Sequence, residues 1–161
     1  MSQLRQTPIR RLWRVLAAVL SAVALVGAAP QAANAHRSIR LRFEKQCLGV
    51  TCTGTLITAP GRPIPGTTVS ATLSPLWVES GVIGFTAIET ISSSRGSFTM
   101  NHLGVADQKV DPSAIHVLGA VVTGSWDGVP LAGGLVHIRA SGIQPSTVRG
   151  TVRIEPPSDG D

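Results

Sequence analysis

Two polar side chains interrupt apolar strand faces in the segment between Gly81 and Gly104. Glu89 shares one alternating face with Ile83, Phe85, Ala87 and Ile91, and His102 shares a face of the next strand with Phe98 and Met100. A buried carboxylate is unfavourable unless it is paired or hydrogen-bonded. Carboxylate and imidazole groups can orient a ligand or transfer protons. The pattern therefore predicts an interior ligand site formed by Glu89, His102, Phe85, Phe98 and Met100.

The distance between Glu89 and His102 depends on how their strands pair. If Ile91 pairs with Gly96 across the turn, the levels of the two polar residues differ by four strand residues. At about 3.3 Å per residue this separation is roughly 13 Å, so we expect no direct hydrogen bond. Two interpretations stay open. The side chains are either satisfied polar groups of the core or barrel rim, or they line a small ligand cavity.

Two further histidines, His116 and His137, are predicted to lie on the outer surface. Pairing Trp126 with Val129 around a tight turn places both on the face opposite the apolar one. No carboxylate or thiol accompanies them at metal-site spacing. The chain also has no Gly-x-Ser-x-Gly elbow and no glycine-rich phosphate loop. The sequence therefore predicts no metal site and no cofactor.

The elements that would position these side chains are strands with period-two alternation. We expect eight of them, at about 39–44, 51–58, 67–78, 82–91, 96–103, 114–124, 132–140 and 148–154. On the third strand, Trp77 has the same parity as Val69, Ala71 and Leu73. That parity predicts that Trp77 packs in the core.

The predicted fold class is all-β, with a single antiparallel barrel of about eight strands in residues 36–155. Turn dipeptides such as Ser80-Gly81 and Asp127-Gly128 separate the strands, and closure would remove exposed strand edges. Strand glycines such as Gly150 favour sharply bent barrel strands. A two-sheet sandwich is the alternative. Residues 156–161 have almost nothing to bury and are predicted to form a disordered tail.

The first 35 residues have the order of a cleavable signal peptide. Four arginines precede the apolar run from Val15 to Ala29, and Ala33-Asn34-Ala35 provides small residues before His36. This order predicts cleavage after Ala35 and a secreted, extracellular protein that meets a membrane only during export. Arg10-Arg11 leaves a twin-arginine route open, although general secretion is favoured. A retained helix is the alternative, but the run is short for a membrane span.

The exported part contains both cysteines and is almost neutral. Cys47 and Cys52 would be able to pair in an oxidising compartment, and the disulfide would stabilise the fold by about 2 kcal/mol. The leader holds four of the 14 basic residues and none of the nine acidic ones. A net charge near +1 remains, from ten basic and nine acidic residues. No basic stripe is visible in that part of the sequence, so we expect no binding to nucleic acid.

A resemblance to a known family covers roughly residues 82–140. It is carried by Gly96, Ser97, Phe98, His102 and Gly104, and by Gly124, Gly128, Leu131, Ala132 and Gly133. The segment resembles uncharacterised bacterial proteins with an allene-oxide-cyclase-like β-barrel. Trp126-Asp127 departs from the Gly-Thr that is usual in the family. The resemblance implies a barrel, whereas isomerase chemistry would follow only by analogy of fold.

The leading functional hypothesis is a secreted β-barrel that binds a small apolar ligand, oriented by Glu89 and His102. One alternative is an isomerase or cyclase in which Glu89 acts as acid or base. Another is a cell-surface structural protein with a filled interior and no ligand. An interior cavity of roughly 300 Å³ or more beside Glu89 would favour binding or catalysis. The residues do not specify an oligomeric state.

Overall fold

The computed structural model describes residues 38–144 and 146–157. The predicted leader, residues 1–35, and residues 158–161 of the predicted tail lie outside this part. The described strands are β1 (Ile39–Leu48), β2 (Thr51–Leu56), β3 (Thr68–Glu79), β4 (Val82–Ser93), β5 (Gly96–Asp107), β6 (Ser113–Trp126), β7 (Val129–Pro130), β8 (Leu135–Gln144) and β9 (Thr147–Glu155). The predicted all-β fold is confirmed. Over the described ranges, no helix has the length and apolar character needed to cross a membrane.

Eight of these strands close into an antiparallel barrel. Each long strand from β1 to β6 pairs with the next one along the chain. The pairings β6–β8, β8–β9 and β9–β1 complete the ring, while the short β7 pairs with the end of β6. Every long strand therefore has a paired neighbour on both sides, as in a closed barrel. The predicted barrel is confirmed, and the sandwich alternative is wrong.

Alternation along each strand separates an apolar interior from a polar outside. In β1, Leu41 and Phe43 are buried while Arg40 and Arg42 are exposed. The same alternation in β4, β5, β8 and β9 directs their buried apolar side chains into one continuous core. Burying each large apolar side chain stabilises the fold by about 1.5–3 kcal/mol. The barrel is therefore held together from its inside.

One end of the barrel, the closed end, is filled by large apolar side chains. Trp126, Phe98 and Leu131 meet there, each at most 1% exposed. The rings of Phe98 and Trp126 pack edge to face with centroids 5.7 Å apart, a favoured aromatic geometry. The turns that join β1 to β2 and β3 to β4 lie at the opposite end, the open end. The two ends therefore differ in how their interior is occupied.

The predicted core position of Trp77 is wrong, because its strand contains an irregularity. The register of β3 against β4 shifts between Pro75 and Trp77, which reverses the alternation beyond that point. Trp77 pairs with Gly84 on the outside of the barrel and is 46% exposed. A Cβ atom at Gly84 would lie 2.2 Å from Trp77 Nε1. The indole therefore packs on a backbone position that only glycine leaves free.

Candidate functional site

Glu89 and His102 both point into the barrel, as their strand alternation predicted. Their exposed fractions are 1% and 6%. The predicted pairing of Ile91 with Gly96 is wrong, since Ser93 pairs with Gly96 across a two-residue turn. This shift equals two residues, so each side chain keeps its predicted face while its level along the barrel changes.

The new register brings Glu89 and His102 into direct contact. His102 pairs with Ala87, which makes it a diagonal neighbour of Glu89. Diagonal neighbours on one face lie within reach of long side chains. His102 Nε2 lies 3.1 Å from Glu89 Oε2, so the predicted separation of about 13 Å and the absence of a hydrogen bond are wrong.

Lys45 is the third member of this polar cluster and is not among the predicted site residues. Its Nζ lies 2.8 Å from Glu89 Oε2 and 4.9 Å from the ring centroid of Phe43. Its side chain is 11% exposed. Lys45 has the inward parity of Leu41 and Phe43 on β1, so the same alternation could have identified it. We define Lys45, Glu89 and His102 as the polar cluster.

Glu89 carries a negative charge in this cluster at neutral pH. Burial raises the pKa of its carboxyl group, but the hydrogen bond from His102 and the charge and hydrogen bond of Lys45 outweigh burial. The pKa of Glu89 therefore lies below its ordinary value. An ionised carboxylate only accepts hydrogen bonds, so His102 Nε2 donates to Glu89. In a neutral imidazole, Nδ1 of His102 is then an acceptor.

Two polar atoms of the cluster remain available for a ligand. Glu89 Oε1 and His102 Nδ1 are buried and have no hydrogen-bond partner among the described residues. A buried polar atom without a partner costs about 1–3 kcal/mol. The third such atom in the described chain, Trp126 Nε1, belongs to the close-packed closed end. Any molecule that supplies hydrogen bonds to Glu89 and His102 would recover part of that free energy.

The polar cluster lines a central cavity of about 50 Å³. Apolar side chains form the rest of its wall, among them Phe85, Leu73, Ile115 and Val148. The last three are only partly buried, which places the cavity toward the open end. Of the predicted ligand contacts, Glu89, His102 and Phe85 line it. Phe98 packs against Trp126 at the closed end, and Met100 is fully buried opposite Glu89.

A larger mouth cleft of about 520 Å³ adjoins this cavity at the open end. Ile115 and Val148 line both spaces, while Gln108 and Thr147 line only the cleft. The central cavity is thus well below the roughly 300 Å³ expected of a site that encloses a whole ligand. A molecule larger than a few atoms would have to extend into the mouth cleft.

The predicted disulfide is confirmed beside the polar cluster. Cys47 and Cys52 are bonded and lie directly opposite each other in the β1–β2 hairpin. Both line the central cavity. Since Cys47 follows Lys45 by two residues on the same face, the disulfide restrains the strand that carries the cation.

No family model, curated protein or solved structure matches this chain. The resemblance to proteins with an allene-oxide-cyclase-like barrel stays a prediction. Chemistry must therefore be inferred from the geometry of the polar cluster itself.

The two described histidines outside the cluster lie on the outer surface, as predicted. His116 and His137 are both exposed, and each sits on the solvent side of its strand. In the part of the chain that the structure describes, no three His, Cys, Asp or Glu side chains converge to hold a metal ion. The polar cluster is the arrangement from which a function can be argued.

Proposed function

We propose that the barrel binds a small, mostly apolar molecule that carries a hydrogen-bond donor. The observation that supports this proposal is the pair of buried polar atoms without a partner, the acceptor Glu89 Oε1 and His102 Nδ1, on the wall of an otherwise apolar cavity. Few polar groups in a mainly apolar pocket are typical of ligand sites, where they fix the orientation of the bound molecule.

The charges of the cluster narrow the chemistry of the ligand. Lys45 is already paired with Glu89, and no other Lys or Arg is among the described residues that line the cavity. A ligand carboxylate would meet the negative charge of Glu89 at short range, which is unfavourable at low dielectric constant. A hydroxyl or amine group fits, because it can donate to Glu89 Oε1.

The volumes indicate how such a ligand would lie. The central cavity of about 50 Å³ accommodates the donor group and a few neighbouring atoms, since an apolar cavity of about 150 Å³ is needed for a benzene-sized molecule. The apolar remainder would extend along Ile115 and Val148 into the mouth cleft. We expect an elongated ligand with one polar end.

We place this function outside the cytoplasm. The Cys47–Cys52 disulfide supports that location, because disulfides persist in oxidising compartments. The signal-peptide pattern in residues 1–35 supports it independently. Membership of a secreted bacterial family with an allene-oxide-cyclase-like barrel is part of the same proposal.

A second candidate function is an isomerase or cyclase. The observation that favours it is an imidazole held through Nε2 by a carboxylate, an arrangement that orients histidine bases in many enzymes. His102 would then remove or return a proton through Nδ1. Glu89 is a poor general acid in this arrangement, because its lowered pKa keeps it ionised.

Binding can be tested with 1-octanol, which has one hydroxyl donor and an apolar chain. We expect NMR signals of Ile115, Val148 and His102 to shift on titration with 1-octanol and not with octanoate. The Glu89→Gln variant should lose the response, whereas Glu44→Gln, on the outer face of β1, should keep it. Shifts that are equal for octanol and octanoate would contradict the proposed donor chemistry.

Native mass spectrometry of the protein released by its own cells, combined with activity assays, distinguishes ligand binding, isomerase or cyclase activity, and a structural role without a ligand. A copurifying small molecule that is absent from Glu89→Gln would support binding. Turnover that is lost in His102→Gln but kept in His137→Gln would support the enzyme. The mass of the protein alone, together with unchanged NMR signals of the cavity residues for every probe, would support a structural barrel that binds no ligand.

A further inference from the structure

The outside of the barrel carries a concentration of arginine that strand pairing assembles. Arg40 on β1 lies directly opposite Arg153 on β9, and Arg153 lies opposite His137 on β8. All three side chains are exposed. Three neighbouring strands thus present an unbroken row of basic residues to the solvent.

The adjacent rows extend this basic surface. Arg42 lies opposite Thr151 on β9, which lies opposite Arg139 on β8, which in turn lies opposite His116 on β6. In the next row Arg149 lies between Glu44 and Ser141. We define the basic face by its exposed members, Arg40, Arg42, Arg139, Arg149, Arg153, His116 and His137.

The basic face has few acidic residues to balance it. Glu44 forms an ion pair with Arg149, and Glu155 forms one with Arg153. Five of the ten Lys and Arg residues that follow the leader are on this face. With five arginines against these two glutamates, the basic face has a net charge of +3, whereas the chain after the leader has a net charge of only about +1.

This arrangement of like charges on neighbouring strands does not stabilise the fold. Like charges directly opposite each other on neighbouring strands are destabilising, and Arg40 opposite Arg153 is such a pair. A bound anion would relieve that repulsion, because arginine binds phosphate and carboxylate groups through a planar set of donors. The charge of the basic face is thus complementary to an anionic partner.

Exposed leucines on the border of the basic face indicate which anionic partner fits. Leu118 lies opposite His137 and is 62% exposed. Leu135, two residues before His137 on the same side of β8, is 56% exposed. A soluble polyanion would leave both leucines in water, whereas a bilayer surface offers phosphate groups beside apolar chains.

We propose that the basic face docks the barrel on an anionic phospholipid surface. The arginines contact lipid phosphates, and Leu118 and Leu135 enter the boundary between headgroups and acyl chains. The contact is peripheral and depends on salt, because interactions between exposed charges are screened. This inference is independent of the ligand proposed for the central cavity.

The test measures sedimentation with vesicles of phosphatidylglycerol and phosphatidylcholine in equal parts. The protein, purified in the form that the producing cell releases, should bind these vesicles at low salt and not vesicles of phosphatidylcholine alone. In Arg40→Gln/Arg153→Gln we expect binding to weaken about 25-fold, since each basic side chain contributes about fivefold. The control Arg95→Gln/Lys109→Gln removes two exposed charges outside the basic face and should bind as the wild type does.

A second pair of variants tests the leucines. Leu118→Ser should weaken vesicle binding severalfold, whereas Leu48→Ser, a substitution of an exposed leucine in the β1–β2 hairpin, should leave it unchanged. Thermal unfolding of each variant checks the fold, and the double arginine variant should be at least as stable as the wild type because it removes a repulsive pair.

Three outcomes would overturn the proposal. One is equal binding to both kinds of vesicle, and another is an equal loss in the arginine variant and its control. The third is binding to heparin that requires Arg40 and Arg153 without any vesicle binding, which would assign the basic face to a soluble polyanion.

Discussion

The two ends of the barrel have the same strands and the same alternation, but opposite interiors. At the closed end the buried side chains of Trp126, Phe98 and Leu131 fill the interior of the barrel. Toward the open end the interior contains a charged cluster and a cavity of about 50 Å³. The difference indicates that apolar packing at the closed end provides stability. This stability offsets the free-energy cost of the buried polar atoms toward the open end.

The largest expected effect is the loss of the closed-end packing. Trp126→Ala should lower the free energy of unfolding by about 3–5 kcal/mol, because it removes a fully buried indole and leaves a cavity. Urea denaturation measures this change. The matched control, Trp77→Ala, removes a half-exposed indole and should cost less than about 1 kcal/mol. Equal losses in the two variants would contradict the proposed role of the closed end.

Breaking the polar cluster should have the next largest effect. Glu89→Gln leaves Lys45 buried without its counter-charge, and removing one partner of a buried ion pair costs about 3–5 kcal/mol. Because the Lys45 side chain is partly exposed, we expect the free energy of unfolding to fall by about 3 kcal/mol. The double variant Lys45→Met/Glu89→Leu should recover most of the stability measured by urea denaturation. A double variant less stable than Glu89→Gln would show that the ion pair itself stabilises the barrel.

Removal of the disulfide should have a smaller effect that is confined to the open end. Cys47→Ser/Cys52→Ser should lower the free energy of unfolding by about 2 kcal/mol, as expected for closing a short loop. Hydrogen exchange should accelerate in the β1–β2 hairpin while the amides around Trp126 stay protected. Acceleration that is uniform around the barrel would contradict the independence of the two ends.

The smallest expected effect is a change in acid sensitivity. The pKa of Glu89 is lower in the folded protein than its ordinary value of 4.5, so ionised Glu89 stabilises the folded state. That contribution is complete above about pH 5 and is lost as the pH falls through the folded-state pKa. Unfolding measured between neutral pH and about pH 3 should therefore depend less on pH in Glu89→Gln than in the wild type. An equal dependence of unfolding on pH in both proteins would contradict the lowered pKa of Glu89.

Side-chain faces could be predicted from the sequence because alternation is local. Glu89 and His102 were placed inside, and His116 and His137 outside, from the parity of their own strands. The level of each residue depends on the length of the turn, and the two-residue turn before Gly96 was shorter than expected. A shift by two residues leaves every face unchanged, so the apolar pattern contained no signal against it.

Local sequence patterns do not predict contacts between strands that are far apart along the chain. Lys45 meets Glu89 across the interior, although 44 residues separate them in the chain. The basic face combines Arg40 with Arg153 through the pairing that closes the barrel, and this juxtaposition is not visible in the linear sequence. Trp77 was misplaced for a different reason, since a single extra residue in β3 reverses parity without altering composition.

The short connections of the barrel have a consequence for its resistance to proteases. Only two residues join β1 to β2, β3 to β4, and β4 to β5. Proteases cut preferentially at exposed loop tips. The longest described connection, residues 57–67, is restrained by hydrogen bonds between Thr58 and Arg62 and by a hydrogen bond from Leu56 N to Thr67 Oγ1. Over residues 38–144 and 146–157, the barrel therefore offers proteases few accessible cleavage points.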